Sequence, residues 1–184
     1  MICQGVFDVA TDFGPLTAMV DRVMDEACDA EIAAGSMTEA QAFRGAPFDT
    51  RLALIYAEDE GLGAAVAGAV YGAISVGGRG DELLNILRQP HLLSLVSDLL
   101  GPDIIGSSVF RIRPKVPRDE HGEVPFHQDS GYTMAHCDET LVVTAWVPLV
   151  DATVENGCMY VLPWHFEQGI IPHKTGALTH SRYY

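Results

Sequence analysis

Val124-Pro125-Phe126-His127-Gln128-Asp129-Ser130-Gly131-Tyr132, with Leu141-Val142-Val143-Thr144-Ala145-Trp146-Val147-Pro148-Leu149 a short way on, is the part of the chain on which its fold turns. The first stretch leaves a proline-rich loop and enters a predicted strand at His127. The second is β-branched and apolar, as a strand packed in a core is. In a strand, residues two apart project from one face, so the imidazole of His127 and the carboxylate of Asp129 can converge on a single point.

Working outward, Cys158 to Leu162 is another short predicted strand, set off by an Asn156-Gly157 turn. Upstream, Ser108, Phe110 and Ile112 alternate with Val109, Arg111 and Arg113 before Pro114 ends the run. Before residue 104 the period is helical. Leu16, Val20, Val23 and Ala27 recur on one face, with Asp12 as candidate cap and Gly35 as stop. Thr38-Glu39-Ala40-Gln41 has capping-box spacing and opens a second, short helix. Residues 60 to 76 are Ala- and Gly-rich and read as a further helix. Asp81 starts a segment carrying Leu83, Leu84 and Leu87, and Pro90 restarts it. Leu92, Leu93, Val96, Leu99 and Leu100 follow until Gly101-Pro102. All these leucines are expected in the core. Helices over 1–103 and successive strands over 104–184 predict an α+β fold with a sandwich or barrel, as one domain.

A chain of 184 residues, 48% hydrophobic and 20% charged, is long enough to bury one core. No run approaches the ~18 apolar residues of a membrane span, and the N-terminus has no secretory pattern. The four cysteines (Cys3, Cys28, Cys137, Cys158) form no CxxC pair. Reduced thiols and a cytoplasmic location are the expectation. A net charge of −14 with only 11 basic residues argues against nucleic acid, whose phosphates are held by clustered Lys and Arg.

Two His-x-Asp triplets stand in the chain, His127-Gln128-Asp129 and His136-Cys137-Asp138, with His121-Gly122-Glu123 a look-alike. With 7 His and 14 Asp among 184 residues, chance alone supplies about 0.5 such triplets, so context must decide between them. His127 lies where a loop meets a strand, whereas His136 lies in a connection beside a thiol. His127 and Asp129 are therefore the candidate metal pair. Two His and one carboxylate on one side of iron(II) leave the opposite positions open for a co-substrate and O2. Arg111 and Arg113 share a face and could meet a carboxylate, although a solvated face is the commoner use of such a pair.

His127-Gln128-Asp129, the Trp146-bearing strand, Glu155-Asn156-Gly157-Cys158-Met159, Val161-Leu162-Pro163 and Pro172-His173 occur in that order. A looser match runs from Leu92 to Pro102. This succession resembles the phytanoyl-CoA dioxygenase family. The resemblance implies a double-stranded β-helix (a jelly-roll barrel) behind an N-terminal helical layer. It also implies an enzyme using iron(II), 2-oxoglutarate and O2 to hydroxylate an unactivated C–H bond of a small molecule. By the same resemblance His127 and Asp129 are iron ligands, and Gln128 and Trp146 line the 2-oxoglutarate site.

The resemblance further implies a third ligand, a His on a later strand, and beyond it an Arg for the distal carboxylate of 2-oxoglutarate. Neither appears before Tyr184, and only His180 with Arg182 stands as a late candidate. Pro163-Trp164-His165-Phe166 replaces the family's PGSH. The expectation is thus a barrel incomplete at its C-terminus, with exposed sheet edges. Two other functions stay open: a binding protein on the same fold with a degraded site, and a cupin-like enzyme using another divalent metal without 2-oxoglutarate. An acyl-CoA substrate finds little support, because Arg111, Arg113, Lys115 and Arg118 form no evident phosphate pocket.

Overall fold

The helical layer opens one turn earlier than the Asp12 cap expected from sequence. Asp8 is the cap: its carboxylate accepts the Thr11 N–H at 2.8 Å and the Thr11 hydroxyl at 2.9 Å. Asp12 instead turns back to accept the Asp8 N–H at 2.7 Å. The shift arises because a π-helical turn, Val9–Phe13, precedes the first α-helix. In the computed structural model the described residues are 1–75, 81–107, 111–117, 124–129, 141–163 and 169.

Helix α1 spans Gly14–Ala34, with Pro15 in its first turn and Gly35 ending it at φ 78°. It buries Leu16, Met19, Val20, Val23, Met24 and Cys28, a stripe at helical spacing. Thr38 and Gln41 close the expected capping box, Gln41 Oε1 accepting the Thr38 N–H at 2.9 Å. The helix that follows is a single 3-10 turn, Glu39–Ala42. Helix α2, Phe48–Glu58, has no counterpart in the sequence reading. Helix α3, Glu60–Ser75, follows after Asp59 alone, which caps it by accepting the Leu62 N–H at 2.9 Å.

Helix α3 packs on both α1 and α2 and contributes Leu62, Val66 and Val70 to the core. A single residue between α2 and α3 forces them close together. A methyl group at Gly63 would lie 2.7 Å from Tyr56 Cα, so no side chain fits there. Helix α4, Asp81–Leu87, leans on α1 and buries Leu83 and Ile86. Helix α5, Pro90–Leu100, lies where Pro90 and Gly101 place it.

The leucines of α5 are not core. None of its residues is buried, and Leu93 and Leu99 are 38% and 49% exposed. Among the described residues α5 packs extensively on no other helix, and Leu92, Leu95, Val96 and Leu100 are half-buried rather than buried.

One ion-pair network ties α1 to the next two elements. Arg51 of α2 is only 4% exposed. Its Nε donates to the Ala42 carbonyl at 3.1 Å, its Nη2 to Asp25 at 2.7 Å, and its Nη1 lies 3.8 Å from Asp21. Arg44 donates to the same Asp25 oxygen at 2.8 Å, to Asp29, and to Glu39 at 3.4 Å. Asp21, Asp25 and Asp29 recur every four residues on one stripe of α1, where like charges repel unless neutralised.

Among the described residues beyond 103 no strand ladder forms; of the strand predicted over 108–113, residues 108–110 lie outside them. Burial nevertheless alternates with period two. Over 111–117 the even residues are half-buried and the odd ones exposed. Over 142–150 every even residue is exposed, and of the odd ones Val143, Val147 and Leu149 are half-buried while Ala145 is exposed. Ile112, Val147 and Leu149 pack against the helical core. Among the described residues no helix is long and apolar enough to cross a membrane.

Two stability predictions follow from the network. Arg51→Met removes a buried charge with its hydrogen bonds and should cost about 2–3 kcal/mol, read as a lower urea midpoint at unchanged m. A midpoint equal to that of the parent would show that Arg51 does not hold the layer together. Burial pushes the Asp21 carboxyl up from its ordinary value of 3.8, against the downward pull of Arg51, with Asp25 adding to the rise. An acid with a raised folded pKa loses stability as pH rises through that value. Asp21→Asn should therefore raise the midpoint at pH 7, with the gain vanishing below the ordinary value of 3.8. A gain independent of pH would mean that titration is not its cause.

Candidate metal-binding site

His127 and Asp129 come together across Gln128. His127 Nε2 lies 3.2 Å from Asp129 Oδ1. The other ring nitrogen, Nδ1, is 2.7 Å from the carbonyl oxygen of Pro125. A carbonyl only accepts, so Nδ1 carries the proton and Nε2 faces Asp129. Metal-binding histidines are held in just this way, with the far N–H on a backbone carbonyl.

The second oxygen of Asp129 is also held. Thr144 donates its hydroxyl to Asp129 Oδ2 at 2.6 Å. Thr144 lies on the apolar segment whose Val147 and Leu149 rest on the helical core. The sequence reading passed over it. Its signal was parity, since it stands two residues before Trp146 on the exposed side of an alternating run.

The two donors suit a divalent metal. Bonds of about 2.1 Å at a right angle place two ligand atoms about 3.0 Å apart, close to the 3.2 Å observed. An imidazole nitrogen with a carboxylate oxygen is also the donor chemistry of iron(II), manganese and zinc sites. Among the described residues no third His, Cys, Asp or Glu joins them.

The other sequence candidates are distributed as follows. Gln128 donates through Nε2 to the Gly169 carbonyl at 3.3 Å. Trp146 is 46% exposed and stays out of the helical core. Arg111 is exposed and lies over the Tyr71 ring at 5.6 Å, donating to its hydroxyl, so it fastens its segment to α3. Arg113 is exposed. The Asn156-Gly157 turn is present. Asn156 accepts the Thr153 N–H at 2.7 Å and donates to the Asp151 carbonyl, and Gly157 takes φ 85°. Lys115 Cβ would lie 3.7 Å from a Cβ at Gly157, which sets the 111–117 segment beside the turn. His121, Glu123, His136, Asp138, His165, His173, His180, Arg182 and Arg118 lie outside the described residues.

A shallow cleft of about 390 Å³ lies elsewhere, between Phe48 and Asp49 of α2 and the Leu149–Asn156 stretch. It includes neither His127 nor Asp129. Cys28, buried beside Arg51, is a packing residue. Burial pushes its thiol up, so the reactive thiolate is disfavoured. Cys3, Cys28 and Cys158 are unbridged, and Cys137 lies outside the described residues.

Comparison with known proteins supports the family resemblance. The family model described as phytanoyl-CoA dioxygenase (PhyH) matches residues 57–183. The peroxisomal phytanoyl-CoA dioxygenase of Homo sapiens is 29% identical over 93 residues, which is 50% of this chain and 27% of that protein. The chain thus spans about a quarter of the length of this curated relative. No solved structure matches. With its HxD pair assembled and more than half its length covered by the family model, the chain belongs to the phytanoyl-CoA dioxygenase family.

Proposed function

We propose that this chain carries the first two metal ligands of an iron(II)- and 2-oxoglutarate-dependent dioxygenase acting on a small molecule. The observation that carries the proposal is the 3.2 Å approach of His127 Nε2 to Asp129 Oδ1, with Nδ1 tied to Pro125. Family membership supplies the reaction class, in which O2 and 2-oxoglutarate are consumed and an unactivated C–H bond is hydroxylated. The double-stranded β-helix expected over 104–184 belongs to the same proposal. Its support is the period-two burial along 111–117 and 142–150.

Iron(II) bound between these residues would supply the redox centre at which 2-oxoglutarate is decarboxylated and O2 is activated. The chain's own residues have more limited tasks. Pro125 fixes the His127 ring and leaves Nε2 unprotonated when a metal replaces the proton. Asp129 contributes the negative charge that favours a hard divalent cation. Trp146, exposed like Thr144 two residues before it, is the residue we assign to the wall of the co-substrate site. Gln128 completes that wall in our assignment, its amide bridging to residue 169.

The test is anaerobic titration of the 184-residue chain with iron(II) and 2-oxoglutarate. A weak visible charge-transfer band should develop, and His127→Ala and Asp129→Ala should each abolish it. Metal content and absorbance unaffected by either substitution would overturn the proposal in favour of a binding protein on the same fold. A metal site that survives but ignores 2-oxoglutarate would favour the cupin-like alternative.

A further inference from the structure

We propose that Thr144 is a positioning residue that restricts Asp129 to offering one oxygen to the metal. The inference rests on the reading of His127 and Asp129 as metal ligands, and extends it to a residue that reaches the pair through a hydrogen bond to Asp129. The Thr144 hydroxyl meets Asp129 Oδ2 at 2.6 Å, the short distance of a hydrogen bond to an ionised acceptor. The opposite oxygen, Oδ1, is the one beside His127 Nε2. The carboxylate therefore has one oxygen occupied and one directed to the imidazole.

Thr144 is well placed to hold this arrangement. It approaches from a separate segment, fifteen residues further along the chain. That segment is anchored by Val147 and Leu149, which pack against the helical core on the other side. A β-branched side chain has few χ1 choices, so the hydroxyl is held with little entropy left to lose. The neighbouring Ala145 has no donor that could take its place.

The consequence concerns coordination number. A carboxylate free at both oxygens can chelate a metal and take up two positions. With Oδ2 engaged by Thr144, Asp129 takes one, and a position stays open for other ligands. A merely structural hydroxyl bridging two chain segments would leave metal affinity and geometry unchanged.

Cobalt(II) is the probe, because its visible d–d bands weaken as coordination number rises. Binding to the full chain is measured by calorimetry and absorbance for the wild type, Thr144→Val, Thr144→Ser and His127→Ala. Thr144→Val should weaken cobalt binding by roughly 10- to 100-fold, the usual effect of removing an outer-shell partner, and should lower the band intensity. Thr144→Ser should restore both, and His127→Ala should bind no cobalt. Wild-type affinity and spectrum in Thr144→Val, with binding lost in His127→Ala, would overturn the positioning role and leave the metal site standing. Equal binding by the wild type and His127→Ala would remove the metal reading, and this inference with it. Thr144 is exposed, so Val there should leave the fold intact by circular dichroism. If it does not, Thr144→Ala is scored by the same two readouts.

Discussion

Neutralising Arg51 is the constraint on which the helical layer depends. A guanidinium that is 4% exposed must find partners for its donors, and it finds them on two different elements. The Ala42 carbonyl comes from the 3-10 turn, and the Asp25 carboxylate comes from α1. Because Arg44 binds the same Asp25 oxygen, the turn, α1 and α2 are fixed as a set. The acidic stripe Asp21, Asp25 and Asp29 would repel itself on an isolated α1. Folding brings two arginines to it, so the helix is stabilised by contacts it cannot make alone.

The candidate site depends on this layer through alternation. Ile112, Val147 and Leu149 place alternate side chains on the helical core. Their neighbours of opposite parity are then directed outward, and these include Thr144 and Trp146. Arg111, stacked on Tyr71 of α3, pins the other segment. Apolar packing on one face thus sets the position of polar groups on the other. A slip of one residue would exchange the two sets and separate Thr144 from Asp129.

Two backbone and side-chain acceptors or donors set the chemistry of the pair. The Pro125 carbonyl selects which nitrogen of His127 carries a proton. The Thr144 hydroxyl selects which oxygen of Asp129 is engaged. Each restricts what the pair can do. Cys28 illustrates the contrary case, a nucleophilic atom made inert by burial in the helical core.

Local features were legible in the sequence. The Thr38–Gln41 capping box, the Gly35 stop, the Pro90 restart, the Asn156-Gly157 turn and the His127-Gln128-Asp129 triplet each depend on residues a few positions apart. Such signals need no tertiary partner. Tertiary structure alone decided the rest. The burial of Arg51 needs acceptors from α1, and nothing within α2 announces them. The leucines of α5 have a core-like pattern, but pattern cannot decide how fully a face is covered, and none of them is fully buried. Asp8 displaced Asp12 as cap because a π-helical turn added to the start of the layer. The grip of Thr144 on Asp129 joins residues fifteen apart, and the chain's alternation could suggest its face but not its partner. Sequence determines what depends on neighbours along the chain, while contacts across it are set by which surfaces the folded helices leave to be covered.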